Sequence, residues 1–130
     1  MPPLVEKRAE KLNLQDCFNI AWKWSDNHDL CFERGTCVYR NVNNTNACLL
    51  GACIPDEFVN SDMFGTIGQL AAGCNWFYDI FDSEINLLKL RGLQRCHDDL
   101  YFLEDKKEYQ VKVKDNLRVF ASINNLSIPE

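Results

Sequence analysis

Residues 36–50 read Thr36-Cys37-Val38-Tyr39-Arg40-Asn41-Val42-Asn43-Asn44-Thr45-Asn46-Ala47-Cys48-Leu49-Leu50, and this stretch decides the predicted fold. Its first five residues are rich in the β-branched and aromatic side chains that favour strands. The asparagine-rich middle tolerates turn geometry, and the apolar run Ala47–Leu50 follows it. The pattern predicts a β-hairpin over Thr36–Leu50.

The segments on both sides of this hairpin have helical spacing of their apolar residues. Asn13 and Asp16 resemble an N-cap with an acidic first turn, which predicts a helix over Leu14–Trp24. A short helix is expected to begin at Pro55, and a further one is expected to end near Gly73. The longest helix is predicted over Glu84–Leu103, and a last one over Glu108–Ile123, ending at Asn124-Asn125.

The predicted fold class is therefore α+β, a mostly helical single domain with one β-hairpin packed on a long helix. Residues 1–130 contain no repeat and no linker rich in proline, glycine or serine, so a single globular domain is expected. Residues 1–12 are expected to be a frayed or separately helical lead.

Composition excludes several classes of function. The chain has 14 Lys+Arg against 19 Asp+Glu and a formal net charge of -5, whereas nucleic-acid-binding domains are usually basic. The sequence has no apolar stretch of the length that spans a membrane or directs secretion. We therefore expect a cytoplasmic protein that binds neither nucleic acid nor membrane.

Seven cysteines would suggest disulfides in a secreted protein, but the number is odd and no export signal accompanies them. They are interpreted as reduced, buried thiols. Only Cys48 and Cys53 have a spacing that suits one half of a zinc site, and a structural zinc site needs two such pairs. No metal and no cofactor are expected, with a zinc-stabilised module as the alternative.

Polar residues near the predicted hairpin and long helix are candidates for chemistry. His97 lies beside Asp98, and it is either a general base or a structural side chain bonded to the hairpin. Asp56 and Glu57 stand in a predicted first helical turn, where the helix dipole already explains them. Arg40 has the geometry to bind an anion, although pairing with one of these carboxylates is the favoured interpretation.

One aromatic stretch has more large side chains than a single helix face can bury. The residues are Trp76, Phe77, Tyr78 and Phe81. Grouped aromatic side chains at a surface are typical of partner-binding sites, so these four residues form the predicted partner surface.

Four short motifs in this order resemble a group of small uncharacterised phage and prophage proteins. They are a Cys-x-Tyr-Arg strand, a Cys-x-x-Gly segment, an Ile-Pro-Asp-Glu step and a Leu-Gln-x-x-His-Asp helix, found here at Cys37–Arg40, Cys48–Gly51, Ile54–Glu57 and Leu93–Asp98. The resemblance implies that one spatial cluster is formed by Tyr39, Arg40, Asp56, Glu57, Gln94, His97 and Asp98, with the hairpin packed against the long helix.

These observations favour a small cytoplasmic accessory protein of a phage or mobile element that binds and modulates a host protein. The alternative is a small enzyme or ligand-binding protein that uses the cluster of His, Asp, Glu and Arg side chains. An enzyme is the less favoured of the two, because no convincing catalytic set is present. The discriminating feature is whether the cluster lines a concave pocket.

Overall fold

The structure is a computed structural model that describes residues 3–29, 31–33, 36–41, 43–59, 63 and 65–129, with the backbone alone for 32, 33, 36 and 37. Within these residues the architecture is helical. The five helices are α1 (Leu14–Asn27), α2 (Ile67–Gly73), α3 (Phe77–Ile80), α4 (Leu87–Asp98) and α5 (Lys106–Asn124). Two short 3₁₀ turns, Gly51–Cys53 and Asp56–Phe58, lie between α1 and α2.

The core lies between α1, α4 and α5, and the connection around Gly51–Cys53 passes beneath α1. Each of the three helices turns an apolar stripe inward, as amphipathic helices do. The fully buried side chains include Phe18 of α1, Leu93 of α4 and Leu117 of α5. Ala47 to Ile54 is also buried throughout, so this connection is part of the core rather than a surface loop.

The predicted fold class is wrong, because the β-hairpin over Thr36–Leu50 does not form. Thr36–Cys37 (β2) pairs instead with Phe32–Glu33 (β1), in two antiparallel strands of two residues each. Across the described residues of the predicted hairpin there is a single isolated bridge, between Arg40 and Ala47. The fold is helical, with this small extended pairing as an accessory.

Local hydrogen bonding explains why the hairpin stops at one bridge. The Asn41 side-chain oxygen accepts the amides of Thr45 and Asn46, both at 2.8 Å, so the loop is closed by a side chain. Beyond Ala47 the chain turns into the 3₁₀ turn Gly51–Cys53. A short continuous apolar run suits a buried turn as well as a buried strand.

The described part of the lead before α1 is attached by hydrogen bonds from Leu4 onward rather than frayed. The amides of Leu4 and Val5 donate to the Asp56 carboxylate at 2.8 and 3.0 Å. Leu12 forms a parallel bridge with Phe81. The Leu12 amide donates to the Ile80 carbonyl and the Leu12 carbonyl accepts the Asp82 amide, both at 2.8 Å. These contacts attach the lead at both of its ends.

The long helix predicted over Glu84–Leu103 is shorter than expected. It begins after Asn86, whose side chain accepts the Leu88 amide at 2.9 Å, and it ends at Asp98. Leu100 and Leu103 remain buried because tight turns of three residues continue the same spacing. Sequence spacing alone does not distinguish such turns from another helical turn.

Candidate functional site

The structure divides the predicted polar cluster into two groups that share the connection at Leu50–Gly51. The histidine group consists of Tyr39, Gln94, His97 and Asp98, and the arginine group consists of Arg40, Asn44 and Asp56. Gln94 accepts the Leu50 amide at 3.0 Å, and Arg40 donates to the Gly51 carbonyl at 3.2 Å. Glu57 is exposed and belongs to neither group.

His97 is fully buried and both of its ring nitrogens are bonded. Its Nε2 accepts the backbone amide of Cys31 at 3.1 Å, so Nδ1 carries the proton and donates to Asp98 Oδ1 at 2.7 Å. Nε2, the nitrogen that would accept a proton from a substrate, therefore already accepts a hydrogen bond from the backbone amide of Cys31. In this arrangement His97 anchors α4 to the segment before β1 and is not placed to act as a general base.

Gln94 and His97 converge on the same carboxylate oxygen. The Gln94 side-chain amide donates to Asp98 Oδ1 at 2.8 Å. Two donors on one oxygen fix the orientation of the carboxylate, which is 34% exposed. Asp98 is thus the part of the histidine group that reaches the surface.

A cleft of about 250 Å³ lies beside this carboxylate, between α4 and the start of α2. Tyr39, Arg91 and Arg95 also line it. The Tyr39 hydroxyl donates to the Gly65 carbonyl at 3.0 Å, and burial raises the pKa of this phenol. Tyr39 therefore stays protonated and serves as a structural donor.

The arginine group is a clamp around one buried guanidinium. Arg40, with 2% of its side chain exposed, donates to the carbonyls of Gly51 and Ile54, to Asn44 Oδ1 and to Asp56 Oδ1. The Asn44 amide also donates to Asp56, at 3.1 Å. The favoured interpretation, internal pairing of Arg40, agrees with this geometry.

Asp56 ties the lead to the clamp. Burial opposes its ionisation, but the Val5 amide, the Arg40 guanidinium and the Leu4 amide outweigh burial and hold the pKa of Asp56 below its usual value. The carboxylate therefore remains charged at neutral pH and stabilises the folded chain.

The predicted partner surface is mostly part of the core. Phe77 and Phe81 are fully buried, Trp76 is 7% exposed, and Tyr78 alone of the four is exposed, at 41%. Two neighbouring elements help to cover the others: Phe81 bridges to the lead and Trp76 stacks on Phe58 of the second 3₁₀ turn, while Phe77 packs on Phe81 itself. These three rings are covered in the folded chain and do not form an exposed surface.

Two exposed aromatic residues were not predicted as a surface. Tyr101 is 70% exposed and Phe102 is 61% exposed, and their rings meet edge to face with centroids 5.9 Å apart. They lie in the turn between α4 and α5, with Leu100 and Leu103 buried on either side. The sequence signal was their position between Leu100 and Leu103. When these two leucines face the core, Tyr101 and Phe102 must face outward.

Six cysteines are free and buried, and the seventh, Cys37, lies where only the backbone is described. Cys48 Sγ accepts the Gly51 amide at 3.2 Å, so this thiol packs against the main chain. Within the described ranges no group of three or more His, Cys, Asp or Glu side chains is arranged to hold a metal ion. The same part of the chain has no helix with the length and apolar character needed to cross a bilayer.

Comparison with known proteins adds no relative. No protein-family model, curated protein or solved structure matches the chain.

Proposed function

We propose that the protein is an accessory protein of a phage or mobile element that acts in the host cytoplasm by binding a host protein. The resemblance of the four motifs to those of phage and prophage proteins supports the origin. The binding role rests on the exposed aromatic pair Tyr101 and Phe102. We call residues 98–105, which contain this pair, the aromatic turn.

The aromatic turn has the composition of a binding hot spot. Tyrosine is enriched in such sites, and rings that project from a surface are suited to insertion into a pocket. The turn is attached to the core by Leu100 and Leu103, so its two rings are presented by a fixed backbone. Little conformational entropy would be lost when a partner orders them.

The charge of the aromatic turn specifies the chemistry of its partner. Residues 98–105 carry four carboxylates and no basic side chain. Asp99, Glu104 and Asp105 are exposed in this turn, and Asp99 pairs with Arg95 of α4 at 3.5 Å. The first basic residue beyond them, Lys106, donates to the Asn27 carbonyl on α1 at 3.5 Å. The complementary surface is an apolar pocket with a basic rim.

The histidine and arginine groups support binding rather than catalysis. The acceptor nitrogen of His97 is used by a backbone amide, and the Arg40 guanidinium is used by carbonyls and by Asp56. An acid–base catalyst needs a titratable group within reach of its substrate. Asp98 and Asp56 are partly exposed, but each carboxylate is held by internal donors, and both groups join segments that are distant in sequence.

The proposal is tested by photo-crosslinking in host cells, with benzoylphenylalanine at position 101 and, as a control, at position 111. Val111 is 60% exposed on α5, outside the aromatic turn. A host protein crosslinked from position 101 alone is then purified. Its affinity is measured for wild type, for Tyr101→Ala/Phe102→Ala and for Val111→Ala.

We expect the double variant to bind at least about tenfold more weakly, as hot-spot truncations do, and Val111→Ala to bind like wild type. Added salt should weaken the wild-type complex, because its rim contacts are charged. Equal affinity of all three proteins would overturn the proposal. So would a crosslink from position 101 to a second copy of this chain only.

A further inference from the structure

A further cavity lies among the described residues, and its lining includes no residue of the histidine group, the arginine group or the aromatic turn. It measures about 570 Å³ and lies between the lead, the second half of α1 and Ala52. Ligand pockets for small molecules typically have volumes of about 300–1,000 Å³. The cavity is thus large enough for a small organic ligand.

Cations surround this cavity in a chain whose net charge is negative. Lys7, Arg8 and Lys23 line it, with Glu6 as the single carboxylate. Within the described residues none of the three cations has an ion-pair partner. The cavity therefore has a local excess of positive charge, which favours an anion.

Arg8 is held at the cavity by the main chain. Its guanidinium donates to the carbonyls of Cys53 at 2.9 Å and Ala52 at 3.3 Å. Neutral carbonyl oxygens fix the side chain but do not neutralise its charge. Arg8 is consequently a positioned cation, and Lys7 and Lys23 are exposed cations at the rim.

One wall of the cavity is aromatic and rigid. The rings of Trp24 and His28 are parallel, with centroids 3.5 Å apart. The Trp24 indole N–H donates to the Ala47 carbonyl at 2.9 Å, and His28 Nδ1 donates to the Trp24 carbonyl at 3.2 Å. Leu4, Val5 and Ile20 add apolar surface to the lining.

We propose that this cavity binds a small organic anion with an aromatic or aliphatic body and one phosphate, sulfonate or carboxylate group. The acidic group lies among Lys7, Arg8 and Lys23, and the body packs on the aromatic and aliphatic wall. A bound ligand joins the lead to α1. This site is independent of the aromatic turn, so either assignment stands without the other.

The probe is 8-anilinonaphthalene-1-sulfonate, which has an aromatic body and one sulfonate. Inorganic phosphate is tested as a second ligand, without an apolar body. Binding is measured by titration calorimetry for wild type, for Lys7→Glu/Lys23→Glu and for the control Lys112→Glu. All three lysines are exposed, so near-ultraviolet circular dichroism should show the same fold in each protein. The site is located by the shift of the Trp24 indole N–H resonance.

We expect one probe molecule per chain, equal affinity for wild type and Lys112→Glu, and affinity reduced about tenfold in the double variant. Inorganic phosphate should bind at least about tenfold more weakly than the probe, because it lacks the apolar body. Equal binding by the three proteins, an unshifted Trp24 resonance or phosphate as tight as the probe would each overturn the assignment.

Discussion

A Cβ atom on Gly51 would lie 1.9 Å from the carbonyl oxygen of Tyr39. The two backbones approach this closely where the arginine group and the histidine group meet. The Gly51 amide also donates to Cys48 Sγ, and its carbonyl accepts the Arg40 guanidinium. A side chain at position 51 would therefore displace main chain on which both groups depend.

The substitution Gly51→Ala should destabilise the protein by about 3 kcal/mol or more, since overpacking against backbone costs at least as much as overpacking in a core. Thermal and urea unfolding measure the effect. Gly73→Ala is the control, because no atom lies within 4 Å of its added Cβ, and its effect should stay within about 1 kcal/mol. Similar stability of Gly51→Ala and wild type would contradict the close approach.

Replacing His97 with Ala should cost about 1–3 kcal/mol, because the Cys31 amide and Asp98 lose a buried partner. His97→Gln should recover part of this loss, since an amide can restore one hydrogen bond. Denaturant unfolding of the three proteins measures both effects. An Ala variant that unfolds like wild type would show that the histidine is not a structural anchor.

Asp56→Asn should lower stability at neutral pH by about 2–3 kcal/mol, because it leaves the Arg40 guanidinium buried without its carboxylate. The contribution of Asp56 is present above about pH 4, the usual pKa of an unfolded aspartate, and is lost as pH falls through its lower folded pKa. The difference between variant and wild type should thus shrink in acid. Asp115→Asn, which breaks an exposed pair with Arg118, should cost less than about 1 kcal/mol.

Six of the seven thiols should react slowly with Ellman's reagent in the native protein. Burial raises the pKa of Cys96 to about 12 and also raises that of Cys48, so neither forms the reactive thiolate at neutral pH. In guanidinium chloride all seven should react at once. Fast reaction of two or more thiols in native buffer would contradict the described packing.

The stability of the wild type should fall relative to that of His28→Gln as pH drops below about 6.5, the usual pKa of an unfolded histidine. Burial lowers the pKa of His28 in the folded protein, so unfolding takes up a proton in this range and becomes more favourable. Urea unfolding at several pH values measures the difference, and His97 is common to both proteins. A constant difference across pH would refute this linkage.

Local signals predicted two of the helix ends, the start of α1 and the end of α5. Asn13 and Asp16 form the predicted cap as a reciprocal capping box, and α5 ends at Asn124 before Asn125 with φ 56°. These contacts lie within one turn of sequence. The hairpin could not be judged in this way, because burial of Ala47–Leu50 on all sides depends on α1 and α4, far away in the chain.

The candidate site was predicted in part. The pairing of Arg40 with Asp56 and the approach of Tyr39 to Asp98 follow the expected cluster, whereas Glu57 lies outside it. Three of the four aromatic residues predicted at a surface are buried, because aromatic content does not show which elements cover a segment. Trp76 and Phe77 are covered, while Tyr101 and Phe102 are not.

The packing of α1 on α5 also constrains when the protein can fold during its synthesis. Lys114 donates to the Trp22 carbonyl across 92 residues and lies 3.7 Å from the centroid of the Trp22 ring. Gln15 exchanges hydrogen bonds with Ser127 across 112 residues. Because translation proceeds from the N-terminus, α1 leaves the ribosome long before the helix that covers it. Until α5 has been made, the apolar face of α1 is exposed to water and available to chaperones.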